Sequence, residues 1–350
     1  EHGILALSSN YTLYGDMSNR VVHILRDFSP ETEVYSIDES FLRIETVMSL
    51  YPSAAAMGHK MRERIKQWTG LPVCVGIGPT KTLAKFANFL AKKNSEFEGV
   101  CDLHIIPRPE RLQWMSSIEV GEVWGVGGRI ARRLEAMEIL TVLDLRNASP
   151  KAMRKHFGVV MERTCNELRG ISCLALDDIE QSKQQIMSSR SFGRPVEKIE
   201  ELRESIASYL SRAVEKLRKQ KSVSAAVYVF IKTNRFNQDE QYSAGVTVPL
   251  HEPTDDTLTI TAAALAGLQT LYRPGYRYHK AGVMLMLLSD KQIRQMSIFD
   301  DTEATKKSTA LMQVLDLINR DYGHGTVRSG ASGFTQRWAM RTENRSPKYT

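Results

Sequence analysis

The stretch EVYSIDESF, Glu33 to Phe41, sets two adjacent acids, Asp38 and Glu39, inside an apolar, β-prone run. Val34, Tyr35, Ile37 and Phe41 favour extended chain, and extended chain alternates its side chains between two faces. Neighbouring carboxylates reach one point only through a bend, or through a ligand that draws both in. Acids amid apolar residues are costly unless paired or metal-bound. Two carboxylates coordinating Mg²⁺ would suit a pair of ions about 3.5–4 Å apart that bracket an in-line phosphoryl displacement. The plainer reading is a hairpin tip with both acids in water.

Working outward, Tyr14, Met17, Val21, Ile24, Leu25 and Phe28 share one helical face ahead of this stretch, with Asp16 or Ser18 as the cap. Behind it, Met57, Met61, Ile65 and Trp68 predict a helix over about 53–68. LPVCVGIG (71–78) reads as a buried strand. Pro79 then opens a helix running to about Lys92, with Leu83, Phe86, Ala87 and Leu90 inward. This α-β-α-β-α order implies a sheet with helices laid on it. Lys81, Lys85 and Lys92 form one stripe near a helix start, where phosphates are attracted. By itself the stripe is equally an amphipathic helix with a basic face.

VWGVGGRIARRLEAM (123–137) has a Gly-x-Gly turn at Gly125 and Gly127 around Val126, then a helix with Arg129, Arg132 and Arg133. This is the pattern of a helix-hairpin-helix, whose turn offers backbone N–H groups to a phosphate without reading sequence. Short helices fill 106–172, and CLALDDIEQSKQQ (173–185) reads as a linker. From 186 the pattern is β (186–196), α (198–219), β (223–233), β (241–248), α (255–271), β (279–288), the ferredoxin-like β-α-β-β-α-β string. A polar, flexible segment follows with one apolar knot at Ile298 and Phe299, and then a partly helical tail from about 308.

With 350 residues, 42% hydrophobic and 25% charged, the chain can bury more than one core. No apolar run approaches the roughly 18–20 residues of a membrane span, and no signal peptide is visible. The four cysteines show no zinc-like spacing, which suits free thiols in a reducing cytoplasm. Residues 1–124 hold 13 Lys/Arg against 15 Asp/Glu, net −2, whereas 125–170 hold 9 against 5 and 186–294 hold 16 against 11, net +4 and +5. An acid-bearing front followed by basic segments suits an enzyme that grips a polyanion.

YSIDESF, VGIGPTKTLAKFAN, VWGVGGRIARRL and SRSFGRPV occur in the order and spacing of the Y-family translesion DNA polymerases. Together with NYTLYGDMSNRV and RYHKAGVML they resemble most the UmuC type, which supplies the catalytic subunit of bacterial DNA polymerase V. The resemblance covers essentially the entire chain. It implies an α+β, multidomain right-hand polymerase. Residues 1–105 would be an α/β palm, 106–172 a helical thumb with the helix-hairpin-helix and 173–185 a linker. Residues 186–290 would be the ferredoxin-like little finger, 291–307 a flexible segment and 308–350 a UmuC-like C-terminal region, a flexible tail.

The resemblance also implies roles. Asp38 matches the aspartate that bridges two Mg²⁺ ions, and Glu39 the glutamate beside the ion that activates the primer 3′-hydroxyl. Lys92 matches a lysine on the triphosphate of the incoming deoxynucleoside triphosphate. Gly125, Val126 and Gly127 match the hairpin on the DNA backbone, joined by Arg129, Arg132 and Arg133. Arg190 and Arg194 are further phosphate contacts in the little finger. Gln295, Ile298 and Phe299 resemble the peptide by which bacterial polymerases dock on the sliding clamp. A cleaved UmuD-like subunit and RecA are expected partners, alongside primer-template and damaged DNA in an SOS-type response.

The family's first strand carries another metal-binding aspartate and is followed by the fingers. Nothing after Glu1 matches them, so the expectation is a palm that lacks its N-terminal strand and fingers. The leading reading is an error-prone translesion polymerase. The rival is a non-catalytic DNA- and clamp-binding remnant, and a third is a two-metal nuclease with a helix-hairpin-helix.

Overall fold

The computed structural model describes residues 3–4, 7–176, 183–291, 302–341 and 344–347. The chain forms two compact units, Ser9–Glu180 with Arg345–Thr350, and Glu1–Ser8 with Gln181–Asn344. Among the described residues no helix is long and apolar enough to cross a membrane.

The first unit begins with α1 (Tyr11–Arg26), whose N-cap is Asn10: its side chain accepts the Leu13 N–H at 3.3 Å. Asp16, expected as the cap, lies inside the helix and pairs with Arg20 at 2.9 Å, an i,i+4 pair. The apolar stripe starts at Tyr14, which hid the extra turn. Next come β1 (Thr32–Val34) and β2 (Ser40–Leu42), antiparallel with Glu33 opposite Phe41. The helix α2 (Ala54–Thr69) is capped by Ser53 and closed by Gly70 in the left-handed conformation, φ 74°. Ile24 of α1 and Phe28 just beyond its end bury against Met57, Met61 and Ile65 of α2.

The strand β3 (Val75–Ile77) leads into α3 (Lys81–Lys93) and pairs in parallel with β4 (Val100–Asp102). Gly76 makes the strand-to-helix contact possible, since a Cβ there would lie 2.1 Å from the Asn88 nitrogen and 2.2 Å from the Ala84 oxygen. Five helices follow: α4 (Arg108–Ser117), α5 (Gly128–Glu135), α6 (Val142–Asn147), α7 (Pro150–Phe157) and α8 (Val159–Leu168). One apolar core runs from Leu83, Phe86 and Leu90 of α3 through Leu134, Leu145 and Met153 to Leu168. The palm–thumb boundary expected after residue 105 therefore falls within a continuous core.

The second unit is built from β5 (Ile186–Val196), α9 (Ile199–Lys219), β6 (Ser222–Thr233), β7 (Ser243–Thr254), α10 (Thr257–Leu271) and β8 (Tyr278–Asp290). The β-α-β-β-α-β connectivity is as expected. The sheet order β5-β8-β6-β7, antiparallel throughout, places the second and fourth strands centrally, an order that connectivity alone leaves open. The helices bury Leu202, Ile206, Leu210 and Leu268 against Val227, Val229, Val283 and Leu285.

As far as Arg341, the tail expected to be flexible is tied to this unit. The helix α11 (Thr302–Tyr322) carries Asp316, which accepts both Nε and Nη2 of Arg218 at 2.6 Å. Further on, Trp338 is buried against Phe192 and Tyr209, and its indole N–H donates to Glu204 at 3.3 Å. A bidentate Arg–carboxylate pair and a buried indole supply order that polar composition did not foretell.

Candidate active site

Asp38 and Glu39 lie in the loop joining β1 to β2, so the apolar run is a hairpin and not a single strand. Local hydrogen bonds cause the bend. The Ser36 hydroxyl donates to Asp38 at 2.7 Å, and the Tyr35 and Ser36 N–H groups both donate to the Glu39 carbonyl, at 3.1 and 3.0 Å. A serine and an aspartate two residues apart thus offer the backbone a turn in place of a ladder. Val34, Tyr35 and Ile37 are 47, 49 and 53% exposed, and Asp38 faces outward.

Glu39 turns toward α3 and accepts from Lys85. One turn earlier, Lys81 pairs with the buried Glu33, donates to the Ala175 carbonyl at 2.7 Å and sits 5.3 Å from the Phe41 ring centre. The lysine stripe therefore clamps the acid hairpin. Glu33 escaped sequence reasoning. A cleft of about 260 Å³ gathers Glu39, Lys85, Lys92, Phe89, Glu122 and Trp124. Lys92 is exposed at its edge, so the structure brings Glu39 and Lys92 to one cleft.

The start of α3 is fixed from behind. Glu167 of α8 is fully buried and accepts three N–H bonds, from Thr82 at 3.0 Å, Cys173 at 2.7 Å and Leu174 at 3.1 Å. A carboxylate is favoured at a helix N-terminus, and here it holds the lysine-bearing helix in register. Sequence reading passed over Glu167, since nothing in its neighbourhood marks it.

In the glycine turn, Gly125 has φ 86°, a left-handed conformation that glycine adopts without strain. Val123 and Val126 are buried on either side and swing Trp124 outward. Its ring meets Tyr35 at 5.2 Å and Phe41 at 5.5 Å. Trp124 thus packs against the acid hairpin. Gly127 caps α5 without a side-chain bond, and a Cβ at Gly125, Gly127 or Gly128 would meet nothing within 4 Å. The first N–H groups of α5 thus stand open to an incoming anion. Arg129 and Arg132 are exposed. Arg133 is tied to α7, donating to the His156 carbonyl at 2.7 Å and lying over the Phe157 ring.

In the second unit, Arg190 and Arg194 are exposed on β5. Arg190 donates to the Ser189 carbonyl at 2.7 Å, and Arg194 pairs with Glu201. On the sheet face away from the helices, Lys232 and Lys280 stand directly opposite each other on β6 and β8, a pair that sequence reading did not single out. Gln295, Ile298 and Phe299 lie outside the described residues. Among the described residues no group of three or more His, Cys, Asp or Glu side chains could hold a metal. The donors available at the hairpin tip are the two carboxylates.

Models of the impB/mucB/samB family match residues 1–88, those of its C-terminal domain match 183–298, and a domain of unknown function matches 309–350. The chain is 44% identical to Protein UmuC of Salmonella typhimurium over 99% of its own length and 82% of that protein. It is 41% identical to Protein MucB of Escherichia coli over 100% of its length and 82% of the relative. With DNA polymerase IV of Desulfatibacillum aliphaticivorans it shares 26% identity over 91% of this chain and 77% of that one. A solved Y-family DNA polymerase chimera superposes with a TM-score of 0.59 at 19% identity, covering 80% of this chain and 78% of that chain, which shows the fold. By its identity to UmuC across nearly its whole length, the chain belongs to the impB/mucB/samB family of UmuC-like proteins.

Proposed function

We propose that this protein is an error-prone DNA polymerase that extends a primer past damaged template bases. One observation carries the reading, in a chain whose relatives include proteins named UmuC and DNA polymerase IV. Glu39 of the acid hairpin, Lys85 and Lys92 of α3, and Trp124 of the glycine turn converge on a single cleft.

Magnesium is the expected metal, and the donors fit it. Asp38 offers an outward carboxylate bonded to Ser36, and Glu39 one shared with Lys85; both are hard oxygen ligands. An Mg²⁺ site commonly uses one or two carboxylates and completes its shell with water and substrate phosphates. When bound there, a pair of such ions supplies Lewis acidity at the phosphate and a more acidic primer hydroxyl. The remaining work belongs to the chain. Asp38 and Glu39 place negative charge at the hairpin tip. Lys85 and Lys92 set positive charge where a triphosphate would lie, and Trp124 with Tyr35 keeps the tip aimed at α3. The open first N–H groups of α5, after Gly127, with Arg129 and Arg132, suit a DNA backbone phosphate.

In the second unit, Lys232 facing Lys280 costs repulsion that a polyanion relieves. Arg190 joins that reading, whereas Arg194 must first leave Glu201. Docking of Gln295, Ile298 and Phe299 on a sliding clamp, association with a cleaved UmuD-like subunit and RecA, a cytoplasmic setting and an SOS role complete the proposal. The test is extension by the intact protein on a primer-template carrying an abasic site, with deoxynucleotides and Mg²⁺. Insertion opposite the lesion and extension beyond it are expected. Binding of the same DNA without any incorporation would favour the non-catalytic reading.

A further inference from the structure

A second cavity, of about 390 Å³, opens between the start of α3, α4, α6 and the end of α8. Four guanidinium groups line it, those of Arg108, Arg111, Arg146 and Arg169, over an apolar floor that includes Leu83 and Met115. None of its lining residues is acidic. Arg169 spends its donors on the carbonyls of Arg146 and Ala148, at 2.7 and 2.6 Å, and Arg146 donates to Asn147 at 3.1 Å. Those partners are uncharged. Burial, and then the positive charges of Arg108, Arg169 and Arg111, push the Arg146 guanidinium below its ordinary value.

Like charges held together in a partly dry cavity repel, and the cost is recovered when an anion enters. Guanidinium forks match phosphate oxygens in pairs, which makes arginine better suited than lysine to this task. The concave shape favours a compact ligand over an extended strand, and cavities of roughly 300–1,000 Å³ are the usual size of small-molecule sites. The apolar floor adds a surface for a planar ring. We propose that this cavity binds a nucleoside polyphosphate, its phosphates on Arg108, Arg111 and Arg146 and its base over Leu83 and Met115. The site is separate from the cleft at Glu39: Leu168 is the one lining residue the two share. It goes beyond the polymerase reading and does not depend on it.

The same phosphate chemistry could come from a DNA backbone, and the experiment separates the sources. The intact protein is labelled with phenylglyoxal, alone, with deoxyadenosine triphosphate in the absence of metal, and with single-stranded oligothymidylate. Each arginine is then quantified by peptide mass spectrometry. The proposal expects deoxyadenosine triphosphate to slow labelling of Arg108, Arg111 and Arg146 several-fold while Arg129 labels as in the free protein. The double variant Arg111→Gln/Arg146→Gln, folded by circular dichroism, should lose the protection of Arg108. It should also bind one fewer nucleotide per chain in a calorimetric titration. Protection by the oligonucleotide alone would overturn the small-ligand assignment in favour of a backbone phosphate. Protection by neither, with unchanged stoichiometry in the variant, would overturn the site. Because the readout is the cavity's own arginines, an inactive polymerase cleft would leave either result intact.

Discussion

Tyr35 and Trp124 meet edge to face, their ring centroids 5.2 Å apart and their planes at 76°. One ring stands at the base of the acid turn and the other just before Gly125, so this contact couples the hairpin tip to the glycine turn. An aromatic pair of this geometry contributes about 0.5–1.5 kcal/mol beyond its buried area. Trp124→Ala is expected to lower primer extension about tenfold or more, as small displacements of reacting groups do. Trp124→Phe should keep most of it. Equal loss in both variants, measured beside a urea unfolding curve, would point away from a positioning role.

Glu167 is the stability counterpart. Replacing it by alanine strands the buried Thr82 N–H at the start of α3 and the partly buried N–H groups of Cys173 and Leu174 after α8, at a cost of about 2–4 kcal/mol. The urea midpoint should fall with an unchanged slope. Glu167→Gln retains one acceptor oxygen and should lose less. A midpoint unchanged in the alanine variant would refute the capping account.

Gly76 should tolerate no side chain. A Cβ at 2.1 Å from the Asn88 nitrogen must push α3 off β3. The expected loss for Gly76→Ala is at or above the upper end of the ~1–3 kcal/mol typical of overpacking. Since α3 carries Lys85 and Lys92, activity should fall even where the variant stays folded. Gly127→Ala, with open space around it and φ −81°, should leave stability nearly unchanged.

The thiols supply a pH test. Burial, reinforced by the charges of Asp102 and Glu96, pushes Cys101 up from an ordinary 9.0 to about 12, and burial pushes Cys165 up to about 11. Both stay protonated in the folded chain after an unfolded chain has begun to ionise. Their contribution is therefore whole below pH 9.0 and drains as pH rises toward about 11 and 12. Iodoacetamide at pH 8 should modify the partly exposed Cys74 and Cys173 and spare Cys101 and Cys165. Unfolding midpoints should drop above pH 9. Rapid alkylation of Cys101 in native protein would contradict the burial argument.

Long periodic segments were legible in the sequence. The stripe Met57, Met61, Ile65 gave α2 within a residue of its end, and β5 was read at the bounds it has in the structure. The hairpin at Asp38 was less legible, because Val34, Tyr35 and Ile37 have strand-forming chemistry yet stand in water around a turn made by Ser36 and Asp38. Side-chain pairings across long separations, such as Lys81 with Glu33 and Arg218 with Asp316, have no periodic signature at all. The strand order of the four-stranded sheet was likewise hidden, since two connectivity-equivalent orders bury the same faces. Of the site, the acids, Lys92 and the glycine turn were visible as motifs. What joins them, Trp124 and the lysine clamp, emerged only from packing.

We propose Asp38 as a catalytic carboxylate of a metal-dependent polymerase. The direct measurement is the single-turnover rate of nucleotide addition by the intact protein and its Asp38→Asn variant, with duplex affinity measured on the same preparations. The expected result is a rate lower by about three orders of magnitude, roughly 4 kcal/mol of transition-state stabilisation, at unchanged DNA affinity. A variant that adds nucleotides at the wild-type rate would contradict it.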